Sequence, residues 1–376
     1  MTSNDNDKLR NYALSEIAHM KVHGRTTGRL DPLTLFWTGS GLEWNAQGGE
    51  LWIEVEVDYN AYETWLSVLI NDAAVSRQMI TAGRHWACVF RGMNTDVVKN
   101  VRIVKDTQAM SGDSGCRMQI RAVRFDGTFQ PVADKPYKLE FVGDSITSGE
   151  GAIGSKIEQD WLPMWSSAVD NYAAMTAEAL GAEHRILSQS GWGLLTSWDN
   201  NPRANLPAYY EQVCGLLKGE RNRELGALEA NDFAAWQPDV VVVNLGTNDG
   251  AAFNTPAWRD PETGETHKQR LNADGTMNAE DVAAFERAAR AFLATIRRCN
   301  PEAHIVWAYG MLGTTMLPAI ERAVGEYREQ AGDPKVTVVL LPDKTEETVG
   351  ARNHPGKRGH RLAADVLAAA IRPLLA

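Results

Sequence analysis

Ser145 stands in the stretch KLEFVGDSITSGE, residues Lys138–Glu150. Leu139, Phe141 and Val142 form a short apolar run of the kind that fills a buried strand, and it stops at Gly143-Asp144-Ser145. A serine directly after a strand, preceded by a glycine that permits tight backbone geometry, projects its hydroxyl from the carboxyl end of a sheet. Open α/β sheets place their chemistry there. A serine hydroxyl attacks poorly until a base takes its proton, so its meaning depends on its partners. The structural alternative is a Gly-Asp turn with Ser145 capping the next helix. A second Gly-Asp-Ser at 112–114 shows how little the triplet says alone.

The partners lie downstream. Leu187–Gly193 reads LSQSGWG, a strand ending at Ser190-Gly191. Val240–Asp249 reads VVVVNLGTND, a β-branched buried strand running into Gly246-Thr247-Asn248-Asp249. Asn353-His354-Pro355 precedes a final helix. Ser, Gly, Asn and His in that order, each at a strand end or in the following loop, resemble the SGNH (GDSL-type) hydrolase family from about Pro136 onward. In that resemblance Ser145 is the nucleophile and His354 its base. The backbone N–H groups of Ser145 and Gly191 and the side-chain amide of Asn248 form the oxyanion hole, each donor typically worth ~3 kcal/mol in the transition state. Gly193 is an alternative to Gly191 if the loop register differs, and His360 competes with His354 from the predicted last helix. Asp144 holds the Ser145 turn and Asp249 anchors its loop. Many members carry Asp three residues before the histidine; that position here is Ala351. The resemblance then implies a Ser-His dyad oriented by a backbone carbonyl, with Glu346 or Glu347 as the third-member alternatives.

These residues must be held by strands that alternate with helices. After Pro136 the pattern predicts strand 137–142, a helix around Val169–Leu180, strand 184–189, a helix near Leu206–Lys218, strand 239–244, helix 279–298, strand 303–308, helix 316–330, strand 335–341 and a helix near 357–373. Repeated units of this kind imply an α/β fold, a parallel sheet with right-handed crossovers and helices on both faces. The segment 251–278 is polar and runs over the surface. From Val22 to about Phe129 the texture differs: short alternating β-rich runs such as ELWIEVEVDYN, separated by turn residues, predict an antiparallel β-sandwich. The resulting division is an N-terminal extension 1–21 with a frayed start and a short helix, a sandwich 22–130, a linker 131–136 rich in breakers, and a hydrolase domain 137–376. Within the sandwich, HGRTTGRL followed by LFWTGSGLEW resembles the jelly-roll leader of carbohydrate esterase family 2, whose members are O-deacetylases of plant polysaccharides and oligosaccharides.

The chain has 376 residues, 44% hydrophobic and 23% charged, with a formal net charge of −10. That charge argues against nucleic acid or an anionic membrane surface as a partner. No stretch approaches a membrane span, and the opening residues lack the apolar run of a signal peptide, so a cytoplasmic protein is expected. Four cysteines are scattered without metal spacing and are expected to be reduced; no metal or cofactor is implied. Twelve tryptophans are many for this length. Trp161, Trp165, Trp192, Trp198 and Trp258 fall in loops after the strands, whereas Trp52, Trp65, Trp86, Trp236 and Trp307 read as core. Indole faces stack on sugar rings. Trp192, beside Gly191, leads the substrate-facing candidates, with Asp144, Trp165, Trp258 and Met311 after it. The reading is a serine esterase that deacetylates manno- or xylo-oligosaccharides through an acyl-enzyme. The alternatives are a generic acyl esterase or lipase-like hydrolase, and a carbohydrate-binding protein whose hydrolase domain is inactive. Oligomeric state and the sugar attacked are open.

Overall fold

The computed structural model describes residues 9–375. Its described residues form two compact units: one reaches to Asp134 and adds Leu162–Met164 and Gln212–Asn231, and the other holds Lys135–Trp161, Trp165–Glu211 and the chain from Asp232.

The first unit carries strands β1 (Arg10–Ala13), β2 (Lys21–His23), β3 (Leu33–Thr34), β4 (Gly41–Gln47), β5 (Glu50–Asp58), β6 (Thr64–Ile70), β7 (Ala73–Ile80), β8 (Gly83–Arg91), β9 (Val98–Lys105), β10 (Arg117–Phe125) and β11 (Thr128–Gln130). They pair antiparallel into two sheets, ordered β1-β10-β5-β8 and β11-β4-β9-β6-β7, with β3 added on β10 and β2 on β4. Leu51, Ile53 and Val55 face inward from β5, as their alternation requires. They meet Leu42 and Trp44 of β4, Leu66 and Val68 of β6, and Val101 and Ile103 of β9 in one apolar core. The sandwich and its jelly-roll character are therefore real. The extension differs from expectation. Part of it, up to residue 8, lies outside the described residues; the rest forms β1 and a single 3-10 turn, Leu14–Glu16, instead of a helix. Leu14 is fully buried in the sandwich core, and β1 pairs with β10, so tertiary packing overrides a weak helical pattern.

The second unit contains β12 (Tyr137–Gly143), α1 (Ser145–Ser148), α2 (Tyr172–Leu180), β13 (Ala182–Ser188), β14 (Val240–Asn244), α4 (Thr247–Ala252), the hairpin β15 (Trp258–Arg259) and β16 (Thr266–His267), α5 (Ala279–Cys299), β17 (His304–Gly310), α6 (Leu317–Ala331), β18 (Val336–Leu341) and α7 (Lys357–Ile371); α3 (Glu220–Glu224) lies in the first unit. Strands β13-β12-β14-β17-β18 form a wholly parallel sheet in that order. One face packs Phe141, Val242 and Val306 against Tyr172 and Met175 of α2 and Leu367 and Ile371 of α7. Val241, Val243, Ile305 and Trp307 alternate to the other face and are equally inaccessible. Burial on both faces is why β14 reads as an unbroken valine run. Helix α5 begins where Asn278 accepts from the N–H groups of Glu280 and Asp281, and it ends on Arg297 and Arg298. Acids first and bases last complement the helix dipole.

The helix expected near Leu206–Lys218 does not form. Pro207–Tyr209 is one 3-10 turn, and the chain from Gln212 to Asn231 joins the first unit. There the Trp37 indole N–H donates to the Val213 carbonyl at 2.7 Å, and Cys214 N–H donates to the Ala227 carbonyl. Gly215 and Gly219 have φ of 79° and 96°, which a helix cannot contain. The apolar spacing of Leu206, Tyr210, Val213 and Leu217 reflects burial without helical periodicity in the backbone.

Candidate active site

Three strand ends lie side by side. In the parallel register Gly143 sits opposite Ser188 of β13 and Asn244 of β14. The loops that follow therefore carry Ser145, Gly191 and Asn248 out of the same sheet edge. A Cβ at Gly143 would come within 2.1 Å of Thr147 Oγ1 and 2.8 Å of the Asn244 carbonyl, so the turn admits only glycine. Asp144 caps α1 by accepting from Ile146 N–H at 3.0 Å, and Ser145 begins the helix with 6% of its surface exposed. The other Gly-Asp-Ser has a different task. Asp113 accepts from the backbone N–H groups of Asn60, Ala61, Tyr62 and Gly115, which makes it a loop staple.

His354 reaches Ser145: its Nε2 lies 2.9 Å from Oγ. Its Nδ1 lies 2.8 Å from the backbone carbonyl of Arg352. A carbonyl only accepts, so the proton sits on Nδ1 and Nε2 offers its lone pair to the serine hydroxyl. The loop that achieves this places Arg352 and Asn353 in the left-handed region, φ 61° and 55°. Arg352 N–H donates to the Glu158 carbonyl at 2.7 Å and its guanidinium to the Gln159 carbonyl at 2.8 Å. These bonds offset a conformation costing about 1–2 kcal/mol per residue. Ala351, three residues before the histidine, where the family resemblance leads one to look for an acid, is fully buried. Glu346 and Glu347 do not reach His354; they are exposed and pair with Lys156 and Arg358. His360 does not compete. It is wholly buried, accepts from Tyr172 N–H through Nδ1 at 3.1 Å, and burial holds it down at about 3, hence neutral.

Sequence reasoning passed over Glu150. Its carboxylate is 2% exposed and lies 3.8 Å from His354 Nδ1, too far for a hydrogen bond and close enough for charge. Trp161 Nε1 donates to Glu150 Oε2 at 3.1 Å, and Arg352 Nε reaches Oε1 at 3.3 Å. The signal available in sequence was a carboxylate between two glycines, Gly149-Glu150-Gly151, one turn beyond the serine. Both glycines have φ near +76° to +79°.

The expected oxyanion donors are mostly backbone groups. Ser145 N–H opens a helix, where the N–H groups have no intrahelical acceptor. Gly191 has φ 79° and lies under Trp198, whose Cδ1 would stand 3.0 Å from a Cβ there. The Asn248 side chain is more occupied than expected: Nδ2 donates to Asp144 Oδ2 at 3.1 Å and to the Trp192 carbonyl at 2.9 Å. An oxyanion at this amide would compete with the Trp192 carbonyl for one hydrogen. Asp249 anchors the adjacent loop, accepting from Leu194, Leu195 and Thr196 N–H at 2.7–3.1 Å. Gly193 stays at the base of that loop, and a Cβ there would strike the Thr196 carbonyl at 2.1 Å. Burial raises Asp144 to about 7, with the charges of Asp249 and Glu150 adding to the effect, and burial also raises Asp249.

The chain is similar to known proteins. The model of the GDSL-like lipase/acylhydrolase family matches residues 141–362. The chain belongs to that family. The structure is similar to the acetyl xylan esterase Est2A from the rumen bacterium Butyrivibrio proteoclasticus, with 45% identity, TM-score 0.96 and 98% of each chain covered. A family two carbohydrate esterase from Clostridium thermocellum, in complex with cellohexaose, shares the fold at 24% identity and TM-score 0.78, over 95% of this chain and 99% of that one. The cellulase/esterase CelE of Acetivibrio thermocellus is 27% identical over 343 residues, 89% of this chain. The chain spans 37% of the length of that relative.

Within this GDSL-family frame the substrate-facing candidates separate. Trp192 is half-buried, its ring 5.5 Å from Tyr209. Trp165 donates to the Asp160 carbonyl and lies over Gly154. Trp258 belongs to the β15–β16 hairpin, beside His267. Trp198 is the most open of the five loop tryptophans, 52% exposed. Met311 is a correction: it is 1% exposed, with φ 70°, and packs in the core of the second unit, where burial of an apolar side chain keeps it from facing a substrate. The core tryptophans also differ. Trp307 is inaccessible, but Trp65, Trp86 and Trp236 are half-buried beneath the guanidiniums of Arg77, Arg124 and Arg185. A cleft at the amino-terminal ends of β12 and β17, lined by Tyr137, Asp239, Cys299 and His304, contains none of the candidate residues.

Proposed function

We propose that this protein is a serine esterase that removes O-acetyl groups from carbohydrate, of the family 2 carbohydrate esterase type. The observation that carries the reading is the Ser145–His354 contact of 2.9 Å with the imidazole's far side on a backbone carbonyl. The 45% identity to an acetyl xylan esterase supports the substrate class. Ser145 Oγ attacks the acetyl carbonyl carbon while His354 Nε2 takes the hydroxyl proton. The oxyanion that forms is met by Ser145 and Gly191 N–H, with Asn248 releasing one hydrogen from its tie. Collapse of the tetrahedral intermediate breaks the bond to the sugar oxygen, which leaves with the proton from His354. Water, deprotonated by the same nitrogen, then cleaves the acyl-enzyme and releases acetate. The exposed Trp198, edged onto Gly191, and Trp192 on the same loop supply the aromatic surface for a sugar ring. The substrates proposed are short acetylated xylo- or manno-oligosaccharides met inside the cell, where cysteines outside any disulfide fit a reducing compartment.

The test is release of acetate, followed by mass, from acetylated xylo-, manno- and gluco-oligosaccharides, alongside aryl acetate and longer aryl esters. Ser145→Ala should lower turnover by at least about 10⁴-fold without unfolding the protein. Activity within a few-fold of the parent would remove Ser145 as nucleophile. Preference for long-chain aryl esters over acetylated sugars would replace this reading with a general acyl esterase.

A further inference from the structure

The work of a triad acid has two components: fixing the imidazole's tautomer, and balancing the positive charge that forms when it takes a proton. A backbone carbonyl performs the first, as the Arg352 carbonyl does at 2.8 Å. It carries no charge for the second. We propose that Glu150 supplies that charge, so that the acid's role is divided between the Arg352 carbonyl and a carboxylate brought from the far side of the serine helix.

Three observations support the division. Glu150 is buried, and its Oε1 lies 3.8 Å from Nδ1 of His354, the nitrogen already committed to the carbonyl. Both carboxylate oxygens are held: Oε2 by the Trp161 indole N–H at 3.1 Å, Oε1 by Arg352 Nε at 3.3 Å. Arg352 thus orients the histidine through its carbonyl and holds the carboxylate through its side chain. The backbone then makes room. Gly151 has φ 79°, and a Cβ there would meet the Ala351 carbonyl at 2.5 Å and His354 Cβ at 2.6 Å, so the histidine loop rests directly on the chain beside Glu150. A carboxylate that only neutralised Arg352 would not need this contact with the imidazole.

The other charged and titratable groups around the histidine are few. Arg352 stands on its own loop, and Lys344 Nζ donates to the Asn353 carbonyl at 2.5 Å. His360 of α7 is buried and neutral. Asp144, on the turn before α1, is raised partly by the charge of Glu150 itself. None of these replaces the negative charge at Nδ1. Glu150 touches no reacting atom, so it is a positioning residue acting through His354.

The inference rests on the esterase reading for its kinetic test, and a second readout is independent of it. Glu150→Gln keeps the shape and an acceptor for Trp161 while removing the charge. On aryl acetate it should lower kcat by about 10- to 100-fold with KM within twofold, and move the acid limb of the rate profile to lower pH. Glu150→Asp should recover part of the rate. In the resting enzyme, the His354 ring resonances followed by NMR should titrate at lower pH in Glu150→Gln than in the parent. A folded Glu150→Gln enzyme with kcat within twofold and an unmoved acid limb would overturn the proposal. So would an unmoved His354 titration, whatever the parent hydrolyses. A parent inert toward every acetyl ester would overturn the functional reading instead, and the ring titration would still decide the role of Glu150.

Discussion

Asp144 holds its proton to about 7 in the folded protein, against 3.8 for an ordinary aspartate, because burial disfavours the anion. The folded state therefore binds this proton more tightly than the unfolded chain. Its contribution to stability is complete below about pH 4 and is lost as pH rises through about 7. Asp144→Asn keeps an acceptor for Ile146 N–H and cannot ionise. Relative to the parent, its stability should rise between pH 4 and pH 7, by as much as about 4 kcal/mol across that window. Chemical denaturation of both proteins at several pH values checks this; a constant difference would mean that the buried carboxylate does not titrate there. The same residue links the nucleophile turn to Asn248 at 3.1 Å. Neutralising it below pH 7 therefore acts on this tie to Asn248.

At the scale of elements, the site is three parallel strand ends joined by turns that exclude side chains. Gly143, Gly151 and Gly350 each stand where a Cβ would come within 2.5 Å of a backbone oxygen or hydroxyl. Gly151→Ala is the informative substitution, since it pushes on the histidine loop and spares the serine. It should lower turnover at least about 100-fold, in line with a displacement of His354 of about 1 Å, while the melting temperature falls by only several degrees. Turnover within threefold would show that the loop yields without moving the imidazole. These turns were legible in sequence because strand, glycine and polar residue follow one another locally. The contact of Glu150 with His354 was not, since nothing local connects a residue after the first strand to one before the last helix.

Over the whole molecule, none of the four cysteines forms a disulfide. The denatured, unreduced protein should titrate four thiols. In the native state Cys88, half-exposed, should react first, and Cys214 last, because burial pushes its thiol up to about 12. Rapid native reaction of Cys214 would contradict its packing beside the strands of the first unit. The sequence alone determined the sandwich, the parallel sheet, the ends of its strands and the lack of an acid three residues before His354. Each of these depends on alternation, burial or backbone freedom within a few residues. Tertiary structure alone decided that Glu150, and neither Glu346 nor Glu347, approaches the imidazole, that Met311 turns into the core, and that 212–231 pairs with Trp37 instead of forming a helix. In each of these cases the outcome depends on a partner distant in the chain, and propensity has no term for it.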